Sequence, residues 1–462
     1  MAGKGSRDAR SAAGDAAIGP RWREATDPVG RGPTLTLLGL GLATEAVYLL
    51  LVALLPWVRY GERLTNWPRL LGRDVATLIG CLTGLIVLAA LYALGWSVVR
   101  RGGASPRLVW ALAVSFALTL FWLLPMTSDL FGYLVHSHLL TDLDANPLLT
   151  APLKFRYDPL VKAFPIGYFR QGTIYGPTWL LLSSVGTLGS QDLINGVAYL
   201  KGLAVASYLG SAWLVYRMLR KHHPERALEG LYCFAWNPLV LLLAVGGGHN
   251  DMVMMALVLL ALWFLLQERW ILAFGVLGLS IWVKYVTLLF LPLFALYAWR
   301  RWEREAPSGM QRRAWAARRA VGPAAAFLGV SVLVMAPFWR PDLPLKVAER
   351  LLAPANWQWA PAELATQLLL VGLGAYALAM VGLLRRLSRG KVTFGRLANA
   401  SFFASLLAFV LLAARSQPWY LIAPISLASL SEEKWPRPLA GGLGLVMLVV
   451  QVWVEWGMPG AT

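Results

Sequence analysis

The sequence predicts an all-α protein, a polytopic bundle of helices that cross a membrane many times. Of its 462 residues, 58% are hydrophobic and only 14% are charged, and the mean hydropathy is +0.57, whereas roughly a quarter of the residues in soluble domains are charged. Apolar stretches of the ~20 residues that cross a bilayer recur between residues 33 and 456. The alternating pattern of an outer-membrane barrel is absent, so the spans are expected to be helices.

The chain begins with 32 residues that are charged, rich in Gly and Ala, and without apolar periodicity. This composition predicts a disordered tail rather than a cleaved signal peptide. Residues 33–456 are then expected to form a single transmembrane domain. The clearest spans within it are 33–57, 76–98, 107–126, 194–216, 363–384 and 439–456.

Four basic segments set the expected topology, because Lys and Arg in short loops mark the cytoplasmic side of a membrane protein. They are Arg100–Arg101, Arg217–Arg226, Arg300–Arg319 and Arg385–Lys391. Placing them and the N-terminal tail in the cytoplasm gives roughly thirteen spans of a cell (inner) membrane protein. The segments that then emerge on the extracytoplasmic side are 58–75, 127–193, 246–251, 284–286, 338–362 and 415–418; the arginines of 58–75 are an exception to the rule.

The same topology explains the net charge of +18, which arises from 42 basic and 24 acidic residues. Most of this charge lies in loops between spans, so no nucleic-acid partner is expected. Cys81 and Cys233 both fall in apolar spans, and they are expected to be small buried hydrophobic residues rather than a disulfide or a metal pair.

The long outer segment 127–193 begins close to Asp129, at the mouth of a predicted span. A carboxylate near the hydrocarbon boundary costs free energy, which favours a functional role; the alternative is a helix cap by Ser128 or Asp129. The basic residues of this segment, among them Arg156 and Arg170, indicate an anionic partner such as a lipid phosphate. The stretch 175–190 is too short to span and is expected to be a re-entrant or interfacial helix.

Asp142 and Asp144 in the same segment form an Asp-x-Asp pattern, which can bind a divalent metal through hard oxygens. Because this spacing often arises by chance, the two residues are only weak candidates. A divalent metal therefore stays possible, and the sequence assigns no certain cofactor.

A glycine-rich turn at 246–251 joins two predicted spans and presents His249, Asn250 and Asp251. Glycines allow a close approach of the backbone to a ligand, and the three polar side chains supply donors and acceptors. The alternative is a plain polar turn between helices.

Lys284 stands alone in the apolar run 271–299, which is long for one span and short for two. A broken helical hairpin that turns near Lys284 would leave both ends of the run cytoplasmic. The ammonium would then reach the outer surface, where it can neutralise a phosphate. The alternative is a lysine that extends to the lipid headgroups.

The sequence RSQPWYL, residues 415–421, interrupts two spans with a proline and places Arg415, Gln417 and Tyr420 on the same outer face. Aromatic residues here can also be simple interface anchors. The topology used only the basic loops, yet it puts Asp129, the glycine-rich turn, Lys284 and this segment on one side of the membrane. That agreement predicts a single polar site at the extracytoplasmic surface.

An ordered set of motifs in residues 107–430 resembles the GT-C class of integral membrane glycosyltransferases, particularly the polyprenyl-phosphate-mannose-dependent mannosyltransferases. The motifs are SDLFGY (128–133), DANPL (144–148), IYGPTWLLL (174–182), GGHNDMVMMALVL (247–259), VKYVTLL (283–289) and RSQPWYL. The resemblance implies a helical bundle with a long extracytoplasmic catalytic loop. Two spans appear before the one that leads to Asp129, whereas many members of the class have one, so the first hundred residues depart from the pattern.

The resemblance implies that Asp129 is the catalytic base and that Lys284 binds the donor phosphate, while Asp251 arranges donor or acceptor. The wider pool of phosphate-binding cations contains His249, Arg156, Arg170 and Arg415, and the substrate-binding residues are Asn250, Asp251, Tyr133, Tyr175, Gln417 and Tyr420. A base near the acceptor oxygen and cations near the leaving phosphate are what such a transfer needs.

The expected function is transfer of a hexose, most naturally mannose, from a polyprenyl-phosphate donor to a glycolipid or glycan acceptor, with membrane lipids as neighbours. No GxGxxG and no Walker A pattern is present, as expected when the activated sugar arrives on a lipid. The alternatives are a transporter or lipid flippase, which commonly shows internal repeats and mid-membrane polar groups, and a polysaccharide polymerase or ligase.

Overall fold

The computed structural model describes residues 30–60, 75–162, 171–188, 193–352, 362–411 and 417–457. Within these ranges the protein is α-helical with no strand; the one backbone bridge joins Pro56 and Leu123. The all-α prediction is therefore confirmed. The predicted tail lies almost entirely outside the described residues, and the first helix begins at Arg31, within its last two positions.

Sixteen helices of eight or more residues form the described bundle. They are α1 (Arg31–Leu54), α2 (Val75–Arg100), α3 (Pro106–Leu120), α4 (Asp129–Thr141), α5 (Pro177–Ser184), α6 (Leu193–His222), α7 (Ala227–Ala235), α8 (Asn250–Leu266), α9 (Trp270–Ile281), α10 (Leu291–Arg304), α11 (Arg312–Met335), α12 (Leu343–Leu352), α13 (Ala362–Ser388), α14 (Phe394–Leu411), α15 (Ile422–Ser429) and α16 (Pro436–Gly457). A π-helix at Val240–Gly246 and 3₁₀ helices at Tyr285–Phe290 and Pro418–Leu421 lie between them.

Five of the described helices are long and apolar enough to cross a membrane by length and composition, or up to six if the bent pair Pro224–Ala235 and Val240–Gly246 is one span. The protein is thus a membrane protein. Four shorter apolar helices, α3, α8, α9 and the first part of α16, accompany the five. The expected count of roughly thirteen spans assumed helices of ~20 residues. Several apolar helices are shorter than that because the chain breaks inside them, so the number of spans stays a prediction.

The bundle has a buried centre and a periphery whose apolar side chains face outward. The π-helix and the first turn of α8 are completely enclosed, whereas only 17% of the apolar window of α11 and 11% of that of α13 is buried. A helix that exposes Leu and Val on most of its surface is suited to lipid contact. The polar residues discussed below lie where helices of the buried centre begin or end.

Several helices break inside the apolar runs of the sequence. α3 ends at Leu120, six residues before the end of the predicted span, and the extended stretch that follows pairs with the end of α1: Leu124 N–H donates to Leu55 O (2.8 Å). The apolar run 271–299 breaks at Trp282–Lys284, close to the predicted turn. The outer segment 127–193 contains α4 and the eight-residue α5, which is too short to span, as predicted for 175–190.

The basic segments lie at the end of the bundle opposite these breaks. α6 has 30 residues and is therefore about 45 Å long. His223, just beyond its far end, contacts Glu432 (2.7 Å). Arg300 Nη2 donates to Ser388 O (3.3 Å), so the third and fourth basic segments also meet.

Candidate functional site

Four irregular segments, far apart in sequence, meet at one end of the bundle. They are the start of α4 at Asp129, the turn before α8, the break after α9 and the short helix at Pro418–Leu421. Irregular backbone at membrane depth is tolerated where it is enclosed by protein or lines a cavity. The convergence of these breaks therefore marks the polar site that the sequence predicts.

Asp129 and His249 are neighbours in this site. The Oδ2 atom of Asp129 lies 3.6 Å from Nδ1 of His249, whose Nε2 is 3.0 Å from the hydroxyl of Thr127. The imidazole stacks on the ring of Trp419, with 4.4 Å between centroids, and is completely buried. His249 therefore lies beside Asp129, and its ring is covered by these neighbours.

Asp129 is the first residue of α4, where the unpaired N–H groups and the helix dipole favour a negative charge. Ser128 precedes the helix, but its side chain makes no capping hydrogen bond. The alternative of a cap by Ser128 is therefore wrong. The side chain of Asp129 is 13% exposed, so part of the carboxylate is accessible from outside the protein.

Lys284 and Asp251 form a buried ion pair. The ammonium donates to both carboxylate oxygens, at 2.8 and 2.9 Å, and lies 4.5 Å from the centroid of the Tyr420 ring. The Asp251 side chain is 3% exposed and that of Lys284 14%. Lys284 is thus held inside the site by an acid and an aromatic face, rather than extended to the membrane surface.

The site also contains a group of packed side chains: the aromatic rings of Tyr133 and Tyr175, and the amide of Asn250. The hydroxyl of Tyr133 donates to Oδ1 of Asn250 (3.2 Å), and its ring meets the edges of Tyr175 and Trp179 at 5.0 and 4.9 Å. Tyr133 lies one helical turn after Asp129 on α4, and its partner Asn250 directly precedes Asp251. Residues from five of the six motifs, all except DANPL, are therefore brought together in space.

The backbone of the α9 break is held against the start of α5. Gly176 N–H donates to Val283 O (3.1 Å) and Thr178 N–H to Trp282 O (3.0 Å). A Cβ at position 176 would lie 2.1 Å from Trp282 O, so only glycine allows this approach. The outer segment thereby fixes the backbone that carries Lys284.

The other predicted residues are placed outside this cluster or are not described. Arg156 is exposed, and its guanidinium donates to the hydroxyl of Tyr157 (3.0 Å). Gln417 is half-buried and directly precedes the short helix Pro418–Leu421, and its carbonyl accepts a hydrogen bond from Tyr420 N–H (3.0 Å). Arg170 and Arg415 lie outside the described residues.

The two weak metal candidates, Asp142 and Asp144, differ in their surroundings. Oδ2 of Asp142 lies 3.0 Å from Nδ1 of His138, whereas the exposed Asp144 adopts a left-handed backbone conformation with φ of 44°. Across the described ranges no group of three or more His, Cys, Asp or Glu side chains is arranged to hold a metal ion. The Asp-x-Asp pattern therefore gains no support as a metal site.

Asp158 fastens the outer segment to α4. Its Oδ2 is 3.1 Å from Nε2 of His138, and its Oδ1 accepts from the N–H groups of Leu160 and Val161. Partial burial acts to raise the pKa of Asp158, but the backbone hydrogen bond from Val161 and the imidazole of His138 outweigh it and hold the pKa below its ordinary value. A lowered folded-state pKa means that the ionised form stabilises the fold above pH 3.8 and that this stabilisation is lost as the pH falls through the folded-state pKa.

We expect Asp158→Asn to loosen the outer segment at neutral pH, because the amide cannot accept both kinds of hydrogen bond as strongly as a carboxylate. Limited proteolysis should cut the variant within residues 142–162 faster than the wild type. The difference should shrink at acidic pH, where the wild-type carboxylate is itself protonated. Equal cleavage at neutral pH would contradict the role of Asp158, and Asp144→Asn, at an exposed position, is the control.

Sequence analysis did not single out several residues that build the site. Trp419 belongs to the RSQPWYL segment but was given no role at the site, with an interface anchor as the alternative; Thr127 lies one residue before the first motif, and Lys201 stands within an apolar span. The lone lysine inside a span was a usable signal, because ionisable residues in transmembrane helices are seldom incidental. The contact of Trp419 with His249, 170 residues earlier, had no local signal.

The chain is similar in sequence to known mannopyranosyltransferases. A family model described as "Alpha-(1->6)-mannopyranosyltransferase, N-terminal domain" matches residues 37–300. The chain is 25% identical over 312 residues to "Alpha-(1->6)-mannopyranosyltransferase A" of Mycobacterium tuberculosis (strain ATCC 25618 / H37Rv), a match that covers 65% of this chain and 54% of that protein. The chain thus spans about half the length of this curated relative. Asp129, His249, Asp251 and Lys284 lie inside the family match, and Trp419 and Tyr420 lie beyond it.

Proposed function

The chain belongs to the alpha-(1->6)-mannopyranosyltransferase family, and from this premise we propose that it transfers mannose from a polyprenyl-phosphate donor to a glycolipid or glycan acceptor. The observation that carries the proposal is the buried site in which Asp129, beside His249, and the Asp251–Lys284 pair are joined by Trp419 and Tyr420. A carboxylate and an ammonium on either side of a substrate are the two groups that such a transfer requires.

Asp129 is the proposed base. It accepts the proton of the acceptor hydroxyl while that oxygen attacks the anomeric carbon of the sugar, and the bond from this carbon to the phosphate oxygen breaks. One displacement of this kind inverts the anomeric configuration. Asp129 suits the role because its side chain is partly exposed and because His249 and the start of α4 orient it.

Lys284 is the proposed partner of the leaving phosphate, whose negative charge grows as the bond breaks. A positive group fixed near that oxygen lowers the energy of the transition state. In the structure the ammonium is already bound by Asp251, so the phosphate must share Lys284 with this carboxylate. Asp251 then sets the position of the ammonium, and the arginines of the predicted pool, Arg156, Arg170 and Arg415, are the candidates for additional positive charge.

The proposed site faces the extracytoplasmic side of the inner membrane. α8 begins in the site at Asn250 and ends at Leu266, about 25 Å away. Next to this far end, Glu268 accepts from Nε of Arg301 (3.0 Å), within one of the basic segments. Because basic loops mark the cytoplasmic side, this arrangement supports an active site on the opposite side.

The donor is tested with the purified protein in lipid nanodiscs, which are supplied with radiolabelled polyprenyl-phosphate mannose or polyprenyl-phosphate glucose and a lipid extract as acceptor. We expect label from the mannose donor alone to enter a glycolipid or glycan product, with the inverted anomeric configuration. Transfer from the glucose donor alone would overturn the choice of mannose. If the folded protein consumed neither donor, the proposed function would be wrong.

A further inference from the structure

Lys201 is a completely buried lysine in α6 that the proposed mechanism does not use. Its ammonium donates hydrogen bonds to the backbone carbonyls of Leu123 (2.8 Å) and Gly246 (2.5 Å). None of the carboxylates that the structure describes is close enough to form an ion pair with it. Among the described residues, the partners of the Lys201 ammonium are thus main-chain oxygens.

The two carbonyls lie in breaks between helices. Leu123 lies three residues beyond the end of α3, in the backbone bridge to Pro56, and Gly246 is the last residue of the π-helix. A carbonyl at the end of a helix, like that of Gly246, lacks a donor within its own helix and carries the negative end of the helix dipole. An enclosed ammonium is costly in a membrane protein, and here it is stabilised by two main-chain carbonyls at once.

Each of these carbonyls stands just before a group of the proposed site. Leu123 precedes Asp129 by six residues, and Gly246 precedes His249 by three and Asp251 by five. One side chain therefore joins the segment that leads to the proposed base with the turn that leads to the ion pair.

The glycine-rich turn packs tightly against Leu130 and the side chain of Lys201. Gly248 has a left-handed φ of 66°, and a Cβ there would lie 2.3 Å from Cδ1 of Leu130 and 3.7 Å from Cγ of Lys201. The stem of the lysine thus packs beneath the turn, next to the residue that follows Asp129. The segment 121–128, which contains Leu123, is also bonded to the end of α1, because Leu124 N–H donates to Leu55 O.

We propose that Lys201 is a positioning residue that fixes the segment 121–128 against the turn 246–251 and so sets the placement of Asp129 relative to the Asp251–Lys284 pair. The catalytic consequence rests on the proposed function, whereas the positioning itself does not. A displacement of reacting groups by about 1 Å can reduce a rate ~10²-fold.

The test uses the full chain in lipid nanodiscs and compares Lys201→Met, which keeps the bulk without the donors, with Lys201→Arg, which keeps both charge and donors. Ser211→Ala is the control, since Ser211 is equally buried on α6 and its hydroxyl has no hydrogen-bond partner among the described atoms. Amide hydrogen exchange is followed by mass spectrometry in peptides from 121–133 and 246–252, with 422–429 as a reference. kcat and KM for mannosyl transfer are measured on the same samples.

For Lys201→Met we expect faster exchange in both site peptides but not in the reference peptide. kcat should fall ~10²-fold while KM changes by no more than about threefold. Lys201→Arg should recover most of both properties, and Ser211→Ala should resemble the wild type. If Lys201→Met does not fold, Lys201→Gln, whose amide keeps N–H donors without charge, is measured against Lys201→Arg in its place.

Unchanged exchange in the two site peptides, or faster exchange in all three, would overturn the positioning role. The first outcome means that Lys201 does not hold the segments, and the second that it stabilises the whole bundle. Faster exchange confined to the two site peptides, in a protein that transfers no mannose, would support the positioning and overturn the proposed function alone.

Discussion

Asp129→Asn is expected to reduce kcat for mannosyl transfer by about 10³-fold, since general base catalysis contributes roughly 10²–10⁴-fold and an amide cannot take the proton of the acceptor. KM for the donor should change little, because the amide is the same size and the proposed donor contacts are on Lys284. The protein should also accumulate normally in the membrane. Steady-state kinetics with labelled polyprenyl-phosphate mannose measure the effect.

Asp144→Asn is the matched control for this substitution. Asp144 lies in the same outer segment, is exposed, and has a left-handed φ of 44°, a conformation that asparagine also adopts readily. This variant should keep wild-type kinetics. If Asp129→Asn were as active as Asp144→Asn, Asp129 would have no part in the mechanism.

The ion pair between Asp251 and Lys284 gives the second large effect. Removing one partner, as in Lys284→Met or Asp251→Leu, leaves an uncompensated buried charge and is expected to lower the free energy of unfolding by about 3–5 kcal/mol. The double variant replaces both charges with apolar side chains and should be more stable than either single variant. Unfolding in mixed micelles with increasing SDS measures the four proteins of the cycle.

Activity should not follow stability in this series. The double variant regains stability but has no ammonium for the leaving phosphate, so it should stay inactive. Lys346→Met is the control for loss of a lysine, because Lys346 pairs with Asp342 at an exposed site (2.6 Å), where water screens the interaction and its loss should change stability little. If the effects of Lys284→Met and Asp251→Leu simply added in the double variant, the two side chains would not be coupled in the folded protein.

Much of the site follows from features that a sequence shows directly. Asp129, His249, Asp251 and Lys284 interrupt apolar stretches, and the cost of placing such groups in lipid makes each of them conspicuous. Their common side of the membrane followed from the basic loops alone. The structure brings all four into one cluster, and the side of the membrane on which this cluster lies stays a prediction.

The roles of the same residues depend on contacts that no local pattern contains. Lys284 was expected to meet a phosphate and Asp251 a substrate, and the structure pairs them with each other across 33 positions. His249 was expected among the phosphate-binding cations, yet it is enclosed between Asp129, Thr127 and Trp419. These pairings depend on how helices pack, which the hydropathy of a single segment does not specify.

The sequence by itself determined that this is an all-α membrane protein. Hydropathy is summed over ~20 neighbouring residues and charge is sorted by the membrane, so both are local properties of the chain. Only the tertiary structure decided where helices break and which polar groups meet, as with Lys201, whose two carbonyl partners are 78 and 45 residues away. The physical reason is that a buried polar group must find its partner, and in a folded bundle that partner is wherever the packing of other helices places it.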